Sequence, residues 1–385
     1  MHIVHIYKDY FPVFGGIENL VRVMAESQAK HGHAVDVLVT QIANRKSEIE
    51  NRNGVRVVKA ARQLNIQSAP IAFFFPRHVA QLTHDADIVH LHAPYPIGEA
   101  CNLFFGRAKK TVITWHSDIV RQKTLLRVYA PILKRVVARA DCILSSSEAY
   151  AKSSPWINPH LDKVRVVPFG IDPSRFVAAE RRSKAAEKIR QSLLSPHRPS
   201  SRAPLIVLGL GRLRYYKGFD DLIRAVAQTK DVIGVLVGVG PMEMELKSLA
   251  HQLGANDRVI FAGELSDDEL PLYYQAADVF ALPSNSRAEA FGMVILEAMA
   301  SGLPILSTEI GTATSWINRH GETGFVVPPQ QPNALANAIE RLRDDESLCG
   351  RMGEAARDRV LNEFTQEKMI ERIEEVYRAL ASNEP

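Results

Sequence analysis

Along the first 170 residues, short runs of β-branched and aliphatic residues alternate with longer stretches whose apolar positions recur at helical spacing. The runs fall at 3–7, 35–40, 55–60, 87–92, 111–116, 142–147 and 164–170. Such alternation predicts βαβ units on a parallel sheet. A charged passage at 176–194 reads as helix, and the tract 195–204 is too polar and proline-rich for a core and reads as a surface loop. A second alternation follows, with runs at 205–210, 234–239, 259–263, 279–283, 304–307 and 324–327, so a second doubly wound sheet is expected. The expected fold class is therefore α/β, with two Rossmann-like domains over 1–172 and 173–364. The last helix, about 365–382, is apolar at Met369, Ile370, Ile373, Val376, Tyr377 and Leu380 and is expected to pack back on the first domain. In open parallel sheets ligands bind beyond the carboxyl ends of the strands, so two such domains facing each other would form a deep cleft, with its chemistry just after strands.

Composition narrows the class. A chain of 385 residues exceeds what one hydrophobic core usually supports. The apolar runs at 71–75 and 293–296 fall well short of the roughly 18 residues of a membrane-spanning helix, and the N-terminus lacks the basic flank and long apolar run of a secretory signal. Cys101, Cys142 and Cys349 are widely spaced and form no Cys-x-x-Cys pattern, which indicates neither a disulfide framework nor a zinc site and fits a reducing cytosol. A net charge of +4 is too small to imply nucleic-acid binding. Its distribution is uneven. Between 118 and 140, Arg121, Lys123, Arg127, Lys134, Arg135 and Arg139 interleave with Leu125, Leu126, Val128, Ile132, Leu133 and Val136, a basic amphipathic helix pattern expected to break near Pro131. That face suits anionic lipid headgroups at a membrane surface, and equally an ordinary solvated helix.

Four segments carry candidate chemistry, each after a predicted strand. In the first, 286–302, a loop leads into a helix beginning near Gly292, which leaves the amides of Ala290, Phe291 and Gly292 free to bind an oxygen-rich anion. Glu289 in that loop and Glu297 in the helix could accept hydrogen bonds from sugar and ribose hydroxyls, or could be a surface carboxylate and a helix-start carboxylate. In the second, 209–218, Arg212 and Lys217 flank a glycine-rich turn and suit a diphosphate whose charge grows as a bond to it breaks. Arg214 is an additional cation or an exposed structural residue. The third is Phe14-Gly15-Gly16-Ile17-Glu18, where small residues let backbone approach a ligand or make a plain turn. The fourth is Thr114-Trp115-His116-Ser117-Asp118.

Glu289 to Glu297, with Ala290-Phe291-Gly292 between them, resembles the Glu-x7-Glu motif of the retaining GT-B glycosyltransferases called family 4, and the likeness extends over essentially the whole chain. The resemblance implies a metal-independent, retaining glycosyltransferase with no cofactor beyond its nucleotide-diphosphate sugar. It also implies roles. Glu289 and the amides of Phe291 and Gly292 hold the donor sugar, Glu297 the ribose, and Arg212 and Lys217 the diphosphate. Gly15 and Gly16 close over the phosphates, and His116 approaches the sugar hydroxyls. Asp118 is an acceptor-side candidate or a cap of the following helix. The run Trp115–Asp118 with its continuation is similar to that of bacterial surface-polysaccharide mannosyltransferases, which favours GDP-mannose over UDP-glucose and a glycan or lipid-linked glycan acceptor at the cytoplasmic face of the inner membrane. The alternatives are a nucleotide-sugar epimerase or phosphorylase and a noncatalytic sugar-nucleotide binding protein.

Three patterns are set aside. Asp85-Ala86-Asp87 has the Asp-x-Asp spacing of a metal site but introduces a buried strand and reads as a turn. His90 and His92 share a strand face, yet sequence places no third ligand near them, so no metal is expected. His31-Gly32-His33 reads as a helix stop.

Overall fold

The structure, a computed structural model, describes residues 1–13, 15–41, 45–66, 69–119, 123–177, 183–195 and 203–382. Phe14, Arg121 and most of the expected surface loop 195–204 lie outside them. The chain divides into two compact units, Met1–Pro168 with Gln366–Pro385, and Phe169–Thr365.

Among the described residues the first unit carries ten strands: β1 (His2–Ile6), β2 (Ala34–Thr40), β3 (Glu48–Arg52), β4 (Val55–Ala60), β5 (Leu64–Ile66), β6 (Ala69–Ile71), β7 (Ile88–Ala93), β8 (Lys110–Trp115), β9 (Cys142–Ser145) and β10 (Val164–Val166). Eight form one sheet in the order β10-β9-β8-β7-β1-β2-β4-β3. Its pairs are parallel except β3 with β4. β1 lies between β7 and β2, so the strand order reverses beside it, the place where such sheets bind ligands. The β3–β4 hairpin is absent from the sequence reading, although Asn53-Gly54 marks it. Asn53 at φ 50 and Gly54 at φ 83 supply the two left-handed residues of a tight hairpin turn. The small β5–β6 hairpin was also unforeseen, since strands of three residues carry no periodic signal.

The helix Lys123–Arg139 runs through Pro131, so the expected break does not occur. Proline removes one amide bond, but Tyr129, Leu133, Val136 and Val137 are buried on one side and hold the helix to the unit. Arg127, Lys134, Arg135 and Arg139 are exposed. The helix Gln366–Ser382 buries Met369, Ile370, Ile373 and Tyr377 within this unit, against the helix Gly16–Lys30. Gly32, at φ 86, follows the end of that latter helix. Asp87 accepts from the His2 amide at 2.8 Å and pairs with Lys109 at 3.1 Å, a structural use of the Asp-x-Asp segment.

The second unit holds a six-stranded parallel sheet of β11 (Leu205–Leu210), β12 (Val232–Val237), β13 (Val259–Gly263), β14 (Val279–Leu282), β15 (Ile305–Thr308) and β16 (Gly324–Val327). The order is β13-β12-β11-β14-β15-β16, so its reversal lies between β11 and β14. Val207, Leu222, Val226, Leu236 and Ile339 sit in its buried core. The loops leaving β11 and β14 are therefore neighbours. Among the described residues no helix is long and apolar enough to cross a membrane. All three cysteines are free and buried.

Candidate active site

Two loops of the Phe169–Thr365 unit carry most of the candidate residues. The loop after β11 holds Arg212 and Lys217, and the loop after β14 holds Glu289 to Gly292. They are locked together. Asn285 donates its amide to the Tyr216 carbonyl at 2.9 Å and its side-chain amide to the Tyr215 carbonyl at 3.0 Å. Gly218 lies at φ 67, and a Cβ there would meet the Pro283 carbonyl oxygen at 1.9 Å, so only glycine allows this approach. Across the junction Lys217 Nζ and Glu289 Oε2 form an ion pair of 2.6 Å, each side chain 10% exposed. Ser284 donates to the same carboxylate oxygen at 3.4 Å. Arg212 is exposed and has no ion pair among the described residues.

Gly292, left-handed at φ 84, turns the second loop into the helix Met293–Ala300. Among the described residues the amides of Ala290, Phe291 and Gly292 donate to no acceptor. They form the positive end of a helix dipole beside Lys217 and Glu289, an arrangement suited to anionic oxygen. Phe291 is buried and packs edge-on against Phe169 at 4.9 Å, which anchors the loop.

Glu297 is the fifth residue of that helix, and Glu289 is only 8% exposed, so neither is the surface or helix-start carboxylate of the alternative reading. Glu297 accepts from the Tyr274 hydroxyl at 2.8 Å. Burial pushes its pKa up to about 7, against the opposing pull of the Tyr274 hydrogen bond and of Arg175, with Asp267 adding to the rise. Tyr274 and Arg175 escaped the sequence reading, because nothing local links them to a carboxylate more than twenty residues away. Arg214 is half-buried and its carbonyl accepts from the Lys217 amide at 3.1 Å, which shapes the turn.

The remaining candidates belong to the first unit. Gly15 is the extended residue before the helix Gly16–Lys30, and a Cβ there would strike the Glu18 carboxylate. Glu18 lies in the first turn of that helix and pairs with Lys8 at 3.6 Å, while Gly16 faces open space. His116 follows β8 and is buried. Asp118 precedes the helix Lys123–Arg139. Its Oδ1 accepts from Trp115 Nε1 at 3.0 Å and from Ser154 Oγ at 2.6 Å, and its amide donates to the Tyr150 hydroxyl at 2.6 Å.

The third imidazole near His90 and His92, which sequence does not place, is His5. Strands β1 and β7 pair in parallel with His5 opposite His90, and one ring nitrogen from each of His5, His90 and His92 lies within 4.8 Å of the other two. Both ring nitrogens of each are already hydrogen-bonded, to Gln28, Tyr377, Thr114, His116 or one another, so the cluster offers a cation no lone pair without breaking one of these bonds. Burial lowers the pKa of His5 to about 4 and of His116 to about 3, and those of His90 and His92 well below the ordinary value.

Comparison with known proteins decides the family. The family described as Glycosyltransferase Family 4 matches residues 14–175, and that described as Glycosyl transferases group 1 matches 190–359. The chain is 32% identical over 381 residues to the O-antigen chain mannosyltransferase C of Escherichia coli, covering 99% of each chain. The chain belongs to glycosyltransferase family 4. This family 4 glycosyltransferase is also 34% identical over 370 residues to the D-rhamnosyltransferase WbpZ of Pseudomonas aeruginosa, covering 95% of this chain and 92% of that one. Its fold matches the sucrose-phosphate synthase of Thermosynechococcus elongatus with a TM-score of 0.78 at 23% identity, over 100% of both chains. The fold is therefore GT-B, and the protein is an enzyme that transfers a glycosyl group.

Proposed function

We propose that this glycosyltransferase moves a mannose or other manno-configured hexose from a nucleotide diphosphate, with retention of configuration, to a glycan or lipid-linked glycan of a cell-surface polysaccharide. The observation that carries the reading is the buried Lys217–Glu289 pair beside the unbonded amides of 290–292, with Arg212 exposed next to it. A nucleotide sugar joins an anionic diphosphate to a neutral polyol, and this site holds a cation and a carboxylate side by side. Lys217 and Arg212 take the diphosphate, and Glu289 with the amides of Phe291 and Gly292 takes sugar hydroxyls. Glu297 takes the ribose, Gly15 and Gly16 serve the phosphates, His116 meets a sugar hydroxyl and Asp118 serves the acceptor side.

The C1–phosphate bond breaks as the acceptor oxygen bonds C1 from the same face, and the acceptor proton passes to the departing phosphate oxygen. Leaving-group charge falls on Arg212 and Lys217, which stabilise the transition state more than the bound donor. The reaction as proposed needs neither metal nor an enzymic nucleophile.

Mannose and D-rhamnose, the sugars in the two relatives' names, share the axial 2-hydroxyl, which supports a manno-configured donor such as GDP-mannose ahead of UDP-glucose, whose 2-hydroxyl is equatorial. The exposed basic face of Lys123–Arg139 supports peripheral docking at the cytoplasmic face of the inner membrane, where a lipid-linked acceptor would lie. The test is turnover and thermal stabilisation across GDP, UDP and ADP sugars without metal, with the product anomer read by NMR. Selection of GDP-mannose with an α-linked product supports the proposal. Inversion, or product formed only with inorganic phosphate or with no acceptor, overturns it.

A further inference from the structure

The buried histidines of the first unit form an ordered chain. Gln28 Oε1 lies 2.7 Å from His5 Nε2, His5 Nδ1 2.9 Å from His92 Nε2, and His92 Nδ1 3.1 Å from His116 Nε2. Successive rings are stacked, His5 on His92 and His92 on His116, at interplanar angles of 20° and 21°. All are buried in a medium that disfavours imidazolium. A neutral imidazole donates from one nitrogen and accepts at the other, so each link dictates the next.

An amide oxygen only accepts, so His5 carries its proton on Nε2 and its Nδ1 must accept. That places the His92 proton on Nε2, leaves His92 Nδ1 to accept, and places the His116 proton on Nε2. A side branch agrees in sense: Gln28 Nε2 faces the Tyr377 hydroxyl at 3.5 Å, the hydroxyl lies 2.5 Å from His90 Nδ1, and His90 Nε2 lies 2.6 Å from Thr114 Oγ1. Gln28 therefore sits where its two amide atoms orient both branches.

We infer that Gln28, His5 and His92 are positioning residues that hold His116 as its Nε2–H tautomer, so that His116 Nδ1 presents a lone pair to a donor-sugar hydroxyl. The functional half of this inference rests on the role proposed above for His116; the tautomer itself does not. His116 then acts as a hydrogen-bond acceptor and cannot serve as a neutral proton donor at that nitrogen.

The test uses the full chain with 15N-labelled histidine. Long-range proton–nitrogen correlation at neutral pH should show an amine-type shift at His116 Nε2 and a lone-pair-type shift at Nδ1, with the signals assigned by their loss in His116→Gln. Gln28→Met removes the acceptor that starts the chain and should mix the His116 tautomers and lower kcat about tenfold with little change in donor KM. A wild-type His116 protonated on Nδ1 overturns the inference, as does an unchanged tautomer in a folded Gln28→Met. The wild-type spectrum decides the direction of the chain even where Gln28→Met fails to fold. A tautomer that shifts while kcat stays constant overturns the placement of His116 at the sugar and leaves the tautomer relay standing.

Discussion

Lys217 and Glu289 share a buried contact of 2.6 Å in one unit, whereas in the other His5, His92 and His116 share contacts of 2.9 and 3.1 Å. Both assemblies remove polar groups from water. The first pairs them by opposite charge, and in the second the rings of His5 and His92 each give and take one hydrogen bond. Charge suits a diphosphate, whose leaving group must be neutralised. Neutral donors and acceptors suit hydroxyl groups, whose recognition depends on direction more than on field strength. The difference teaches that one chain can stabilise buried polar groups in two ways, by opposite charge or by neutral hydrogen bonding.

The largest expected effect breaks the charged side. Lys217→Ala should lower kcat by about a hundredfold to a thousandfold, and it should also destabilise the fold by about 3 kcal/mol by leaving Glu289 buried without its cation. Lys217→Met with Glu289→Gln should restore much of the stability and none of the turnover; a double variant that regained activity would make the pair structural only. Thermal melts and steady-state rates on the same samples separate these outcomes. Next is Gly218→Ala, which puts a methyl group against the Pro283 carbonyl at positive φ. A loss of about 2 kcal/mol or more in unfolding free energy, with a fall in kcat as Lys217 moves, is the expected result.

A smaller effect sharpens the comparison through pH. With a pKa of about 7, Glu297 should lose its ability to accept two ribose hydroxyls as pH falls, raising donor KM about tenfold between pH 8 and pH 6, a dependence absent from Glu297→Gln. The sign for folding is opposite. A carboxyl whose folded pKa exceeds its unfolded value of 4.5 contributes stability below that value and loses it as pH rises through about 7. Donor affinity should therefore improve as pH rises, whereas this residue's contribution to stability declines as pH rises from 4.5 to about 7. The smallest effect concerns the surface. Charge reversal at Arg127, Lys134 and Arg135 should weaken binding to vesicles with anionic lipid, by about 1 kcal/mol per residue, and leave turnover of a soluble acceptor unchanged. Equal vesicle binding by the variant would remove the membrane role.

Much of the fold was legible because its strands are short apolar runs between helical stretches, and that signal is local. Most charged candidate residues were legible for a related reason: Arg212, Lys217 and Glu289 lie in the loops that leave strand ends, where parallel sheets keep their ligands. What was hidden is long-range. Tyr274 reaches Glu297 from another helix, and His5 meets His90 only through the register of two strands far apart in sequence. Gln28 and Tyr377 lie 349 positions apart in the chain yet face each other. Pro131 misled in the opposite sense, since its local cost to the helix is offset by side-chain packing that no local rule includes.

The glycine at 218 has a bearing on how such enzymes change their preferences. Because its backbone rests on Pro283 and Asn285 ties the same two loops together, the segment proposed to hold phosphate and the segment proposed to hold sugar form one mechanical piece. Swapping only one of them for a relative's version would carry a foreign surface into that junction. Chimeras meant to accept a different sugar should therefore exchange both segments at once, and natural variation in donor choice is expected to show the two changing in step.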